Sequence, residues 1–229
     1  MEKIGFIGAY DKTDLIIYMA KILTILGKKV LVVDSTTNQK AKYVVPVINP
    51  TKAYVTQYEN FDVSVGFKNF DDIASYLGVE RIGNLYDIAL LDIDESKTFS
   101  DFEMRNSTKN YFVTSFDLFS LKKGLEVLNG LEETIKMTKV LFSKNADKEE
   151  NEYLNFLSLN YKVMWDDEII YFPIDKGDLS AIIENQRLSS IKFRNFTEEF
   201  MVGFSMLAQE VAGVGLNDIK KVLKIIEKA

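Results

Sequence analysis

Ile7-Gly8-Ala9-Tyr10-Asp11-Lys12-Thr13-Asp14-Leu15 is the stretch whose reading decides the fold. The apolar run Ile4 to Ile7 before it reads as a buried strand, and Gly8 to Thr13 reads as a tight turn. Asp14 to Leu26 then reads as a helix apolar nearly all round, closed by Gly27 just past its end. A strand, a glycine-containing turn and a Lys-Thr pair opening a helix form the mechanical layout of a phosphate-binding loop. Backbone N–H groups and the helix N-terminus attract phosphates, lysine neutralises them, and the hydroxyl reaches Mg²⁺. Taken alone, Lys12 and Thr13 could equally open an ordinary helix, with Asp14 favouring its N-terminal dipole.

Outward from this turn, apolar runs alternate with helical patterns. Val30 to Asp34, Asp87 to Leu91, Tyr111 to Thr114, Thr138 to Phe142 and Ile169 to Phe172 read as strands. Phe116 to Ile135, Glu149 to Leu159, and segments around 178–188 and 196–212 read as helices. Strands that are apolar throughout belong to parallel sheets covered on both faces. The expected fold is therefore α/β: a mainly parallel sheet with helices on both faces, a Rossmann-type three-layer sandwich of the P-loop NTPase kind. Residues 41–80 break the rhythm. Tyr43 to Pro46 through Val63 to Phe67 suits an inserted hairpin or edge-strand excursion, followed by a short helix from Phe70 to Leu77. One domain is expected over 1–212, with an amphipathic helical tail over 213–229.

Composition narrows the chemistry. The chain has 229 residues, 47% hydrophobic and 27% charged, with 3 Pro and 12 Gly, the balance of one globular unit without long linkers. Net charge is −6, which disfavours broad binding to nucleic acid. With no Cys and no His there can be no disulfide, thiolate nucleophile, imidazole base or Cys/His zinc site. Catalysis would rest on carboxylates, lysines, hydroxyls, backbone amides and a bound ion. The opening residues do not form a signal peptide, and no window offers the ~20 apolar residues of a membrane span. A cytoplasmic protein is expected, with attachment to a membrane surface left open.

Several segments, in order along the chain, resemble the deviant-Walker P-loop family of MinD and ParA. The family's loop, Lys-Gly-Gly-x-Gly-Lys-Thr, is matched at Gly8, Lys12 and Thr13. Gly27 to Asp34 looks like its second strand, and Tyr86 to Asp92 is similar to its Walker B strand. Val113 to Leu121 looks like the strand-to-helix segment that follows. Phe172-Pro173-Ile174-Asp175, running into Ile182 to Arg187, resembles its Ile-Pro-x-Asp segment and next helix. The resemblance implies ATP and Mg²⁺ as cofactors, a homodimer and protein partners. It places Gly8, Ala9, Tyr10, Asp11, Lys12, Thr13 and Asp14 against the nucleotide, Thr13 and Asp92 on the metal, and Asp34 and Asp92 in the catalytic roles. For Asp34 and Asp92 the alternative is a set of hydrogen bonds to loop amides.

Departures from the family pattern point to weak or absent hydrolysis. Ile7 stands where the signature lysine reaches the partner's nucleotide, and Thr36 replaces an aspartate that helps orient the attacking water. Ala9 replaces one loop glycine. Asp11 replaces the glycine before Lys12, where the backbone must pass close to phosphate. Two like charges about 5 Å apart repel by about 3 kcal/mol at an effective dielectric of about 20. Asp11 would have to turn outward, pair with Lys12 or be screened by a metal ion. The expected role is a partner-recruiting or positioning module, with pilus, secretion and conjugation systems as settings by analogy. The alternative is a working Mg-ATP-dependent ATPase that dimerises on ATP, and a lost site would leave no cofactor at all.

Two further segments carry open readings. Tyr43, Tyr54, Tyr58, Phe61, Phe67 and Phe70 could cover the core and sheet edge or form a protein interface. In the tail, Leu216 to Ala229, the residues Leu216, Ile219, Val222, Leu223 and Ile226 share one helical face. That face could meet a membrane, as the basic amphipathic helix of MinD does, or dock on its own domain or a partner.

Overall fold

The structure is a computed structural model that describes residues 1–48, 51–144 and 148–228. Residues 49 and 50 of the variable region and Ala229 of the tail lie outside the described residues. Eight strands form one sheet in the order β3-β4-β2-β5-β1-β6-β7-β8. They are β1 (Glu2–Ile7), β2 (Val30–Asp34), β3 (Tyr54–Tyr58), β4 (Phe61–Val65), β5 (Ile88–Ile93), β6 (Lys109–Ser115), β7 (Ile135–Ser143) and β8 (Val163–Pro173). Every neighbouring pair is parallel except the β3–β4 hairpin.

The helices are α1 (Thr13–Ile25), α2 (Ala41–Val44), α3 (Phe70–Leu77), α4 (Ser96–Asp101), α5 (Leu118–Asn129), α6 (Lys148–Leu157), α7 (Lys176–Leu188), α8 (Glu198–Ala212) and α9 (Leu216–Lys228). Strand alternation sorts the core into two layers. Ile4, Phe6, Val30, Val32, Ile88 and Leu90 face α1, α8 and α9. Ile7, Leu31, Val33, Ala89, Leu91 and Ile93 face the opposite layer, which holds Ile73 of α3, Phe99 of α4, Leu121 of α5 and Leu154 of α6. The three-layer α/β sandwich expected from the sequence is what forms.

Three details correct the sequence reading. The predicted helix over 116–135 ends at Asn129, and Ile135 opens β7 instead. Gly130 interrupts the helical pattern, and Ile135 pairs with Val163 in the sheet. Tyr43 and Val44 belong to the short helix α2 rather than to a strand. The expected hairpin does form, with β3 at the sheet edge and β4 running parallel beside β2. Strand β8 starts well before Ile169, and the polar stretch Asp166-Asp167-Glu168 hid it from a reading based on apolar runs. Charge on an edge strand is a common defence against edge-to-edge pairing.

The tail is part of the same body. Ile219, Val222 and Ile226 are buried in the layer that holds α1, and α9 packs against α1 and α8. This explains why α1 is apolar nearly all round: the sheet takes one side, and α8 and α9 cover much of the rest. Of the aromatic set, Tyr54 and Phe61 are core, Tyr58, Phe67 and Phe70 are half-buried, and Tyr43 is exposed. Among the described residues no helix is long and apolar enough to cross a membrane.

Candidate functional site

The loop between β1 and α1 lies at the carboxyl edge of the parallel strands, where such sheets place their ligand sites. Gly8 has φ +136°, and a Cβ there would stand 2.2 Å from the carbonyl oxygen of Val113, so only glycine fits. The Gly8 amide donates to the Ile93 carbonyl at 3.0 Å, and the Tyr10 ring packs against Phe142 with centroids 4.6 Å apart. The Asp11 carboxylate accepts from the Thr13 amide at 3.3 Å, and α1 begins there.

Sheet register brings the distant acids to this loop. In the β1–β5 pairing Phe6 lies beside Asp92, and in the β2–β5 pairing Asp34 lies beside Asp92. Asp92 and Leu90 share a face, so the Asp92 carboxylate points to the side where α1 starts. The Lys12 ammonium lies 2.7 Å from Asp92 Oδ1 and donates to the Gly8 carbonyl at 2.7 Å. The Thr13 hydroxyl donates to Asp92 Oδ2 at 3.0 Å. These side chains are buried. Burial pushes the Asp92 carboxyl up to about 6, with the Lys12 charge pulling down and Asp34 pushing up.

Asp34 has a different task. Its Oδ1 accepts from the Thr36 amide at 3.1 Å and the Thr36 hydroxyl at 2.6 Å, and its Oδ2 accepts from the Ala41 amide at 2.8 Å. Burial raises its pKa against these bonds. These bonds organise the segment 35–41. Thr36 itself lines the site.

Asp11 turns outward. Its side chain is 55% exposed, and its Oδ2 accepts from Lys40 at 2.5 Å. Lys40 also reaches Asp14 Oδ2 at 2.6 Å, and Gln186 of α7 donates to both Asp14 oxygens at 2.9 Å. Burial lowers the Lys40 pKa, but Asp14 and Asp11 outweigh it and the net shift is upward. Of the three ways to relieve Asp11, this is the outward turn, with Lys40 rather than Lys12 as partner.

A cavity of about 340 Å³ opens over the loop, lined by Gly8 to Thr13 together with Thr36, Lys40, Asp92 and Asp94. Asp14 and Asp34 stand behind it. Sequence reasoning missed Lys40, which no motif marks. It also missed Asp94, whose carboxylate accepts from the Thr37 amide at 3.0 Å, although its place two residues after Asp92 was a usable signal. Ile7, at the signature-lysine position, is fully buried in the opposite core layer.

The residues fit a Mg–nucleotide by the chemistry of their donors. A hydroxyl and a carboxylate stand side by side at Thr13 and Asp92, and the glycine-shaped loop enters a helix N-terminus. Such a ligand would be held by the loop amides and Lys12 on its phosphates and by Thr13 and Asp92 on its metal.

No known family profile and no curated protein matches the sequence. Solved structures do match in fold. MinD in the MinC:MinD cell division complex of Aquifex aeolicus superposes with a TM-score of 0.57 at 13% identity, over 94% of this chain and 97% of that one. McdA of Cyanothece, as an ATP complex, gives 0.56 at 11% identity over 94% and 97%. A putative plasmid partition protein of Borrelia burgdorferi bound to AMPPNP gives 0.55 at 13% identity over 100% and 99%. At such identities the likeness concerns architecture, and it spans the whole chain: this protein has the MinD/ParA-like P-loop fold.

Proposed function

We propose that this chain is an atypical MinD/ParA-like P-loop protein, cytoplasmic, that recruits or positions protein partners and hydrolyses ATP weakly or not at all. The observation that carries the proposal is the closed charge set of Lys12, Thr13 and Asp92, in which each residue that should meet nucleotide or metal already satisfies another. Removing one partner from a buried ion pair typically costs about 3–5 kcal/mol. A Mg–nucleotide supplies the replacement charges and the bond to be broken. For it to bind, Lys12 must leave Asp92 and Gly8, and the Thr13 hydroxyl must turn outward. Hydrolysis further requires positioned charge around the transferred phosphoryl group. Ile7 supplies none, and Thr36 offers a hydroxyl already committed to Asp34.

The recruiting role rests on analogy with the MinC:MinD complex and the partition proteins. A homodimer and a place in a pilus, secretion or conjugation system stand on the same footing. Calorimetry with Mg-ATP, paired with a phosphate-release assay, tests the reading. Weak binding with release at background supports it, and steady multiple turnover would sink it.

A working ATPase that dimerises on ATP is the second reading. The outward turn of Asp11 favours it, because the carboxylate that would oppose phosphate is neutralised by Lys40. ATP-dependent dimerisation in size-exclusion chromatography, together with turnover, would decide for it.

A further inference from the structure

Helix α7 ends at Leu188, and Ser189 after it takes the left-handed conformation with φ +47° and turns the chain into the segment 190–194. Burial alternates along that segment. Ile191 and Phe193 enter the core, while Ser190, Lys192 and Arg194 face outward. Those three outward residues line a cavity of about 290 Å³ with Lys21 of α1, Glu59 of the β3–β4 turn, and Ile226 and Glu227 of α9. Three cations therefore stand against two carboxylates, in a chain whose net charge is −6.

One of those carboxylates is already spent. Glu59 is ion-paired with Lys21, and its Oε1 accepts from the Ile191 amide at 3.2 Å. Among the described residues, Lys192 and Arg194 have no ion-pair partner. The cavity thus offers an arginine, a lysine and a hydroxyl on one wall, with only Glu227 opposing them. A guanidinium beside an ammonium suits a phosphate ester, which takes the planar fork and the point charge together. The volume suits a ligand at the small end of the usual range, about 300 Å³.

We propose that this cavity binds a small phosphate ester, either a free metabolite or a lipid headgroup, and that the bound ester tightens the docking of α9. It would bridge the 190–194 segment to the wall formed by α9, whose Ile226 lines the cavity and is part of the core. Ligands that bind only the docked form stabilise it by mass action. The site is independent of the nucleotide reading, since it shares no lining residue with the loop cavity.

Glycerol 3-phosphate titrated into the full chain and followed by amide NMR tests the proposal. Saturable shifts are expected at Ser190, Lys192, Arg194 and Ile226. They should persist in Lys40→Met, which alters the loop cavity, and weaken at least tenfold in Lys192→Gln/Arg194→Gln, a surface pair whose fold circular dichroism can check. Cleavage by trypsin within 220–224 should slow severalfold with ligand in the native chain only. Shifts confined to Gly8 to Thr13, no shifts, or an unaltered titration of the double variant would overturn it. Vesicles of phosphatidylglycerol and phosphatidylcholine in equal parts then separate the sources. Co-flotation of the native chain but not the double variant identifies a headgroup, and saturable glycerol 3-phosphate binding without flotation identifies a free ester.

Discussion

Helix α1 meets charge at two places, and it meets it differently. At its N-terminal end, Lys12 is closed against Asp92, and Lys40 is closed against Asp11 and Asp14. Two turns further along, Lys21 is matched by Glu59, but Lys192 and Arg194 beside it are left to solvent and to whatever enters the cavity. The loop that resembles a phosphate site has internalised its countercharges. The pocket that no motif announces keeps two of its three cations without an ion-pair partner among the described residues. The motif and the balance of charges thus point to different places on one helix.

The largest test of this contrast removes one carboxylate at each place. Asp92→Ala leaves Lys12 buried and unpaired, and should lower stability by about 3–5 kcal/mol in urea denaturation. Glu59→Ala leaves Lys21 at the wall of an open cavity, within reach of water, and should cost less, about 2 kcal/mol. Equal losses would erase the distinction. Next in size, Ile219→Ala removes a core contact of α9 and should cost about 3 kcal/mol. A loss below about 0.5 kcal/mol would mean the tail is not docked in solution, and would revive a free amphipathic helix.

Smaller effects are expected at the loop. Lys40→Met leaves Asp11 and Asp14 without their shared cation, and should weaken Mg-ATP binding about tenfold, or about 1.4 kcal/mol. Asp11→Gly should tighten it by no more than about fivefold, because the carboxylate already points outward. A much larger gain would place Asp11 against the phosphates after all. A separate effect is in pH. The folded Asp92 carboxyl sits at about 6, above its unfolded value near 3.8. Between those values the folded state holds the extra proton, so this group's contribution to stability is greatest in acid and falls as pH rises through 6. Measured against Asp92→Asn, native stability should therefore compare more favourably at pH 4.5 than at pH 7, and a constant difference would contradict the shift.

Much of the frame was legible in the chain. Apolar runs at strand length, glycine punctuation and a helical pattern after Gly8 are local signals, and they placed β1, α1, β2, β5 and α3 within a residue or two. β8 was seen only in part because a half-exposed edge strand does not present an unbroken apolar run. Ile135 was lost to a helix because helix and strand patterns cannot be told apart across a short apolar stretch. At the site, the structure brings Lys12, Thr13 and Asp92 into contact. Asp14 bonds Lys40 and Gln186, and Asp34 bonds the amides of 36 and 41, partners that no spacing along the chain marks.

The sequence by itself determined the layering, the phosphate-type loop and the absence of imidazole and thiol chemistry, because those depend on residue type and on spacing along the chain. Only the tertiary structure decided which charges neutralise which. Asp11 finds Lys40 29 residues away, Thr13 finds Asp92 79 residues away, and Asp14 finds Gln186 172 residues away. Such partners are set by strand register and helix docking, since a buried charge must be matched by whatever the fold brings within reach. The phosphate-type loop is thus written in Gly8, Lys12 and Thr13, and its closure is written in the packing around them.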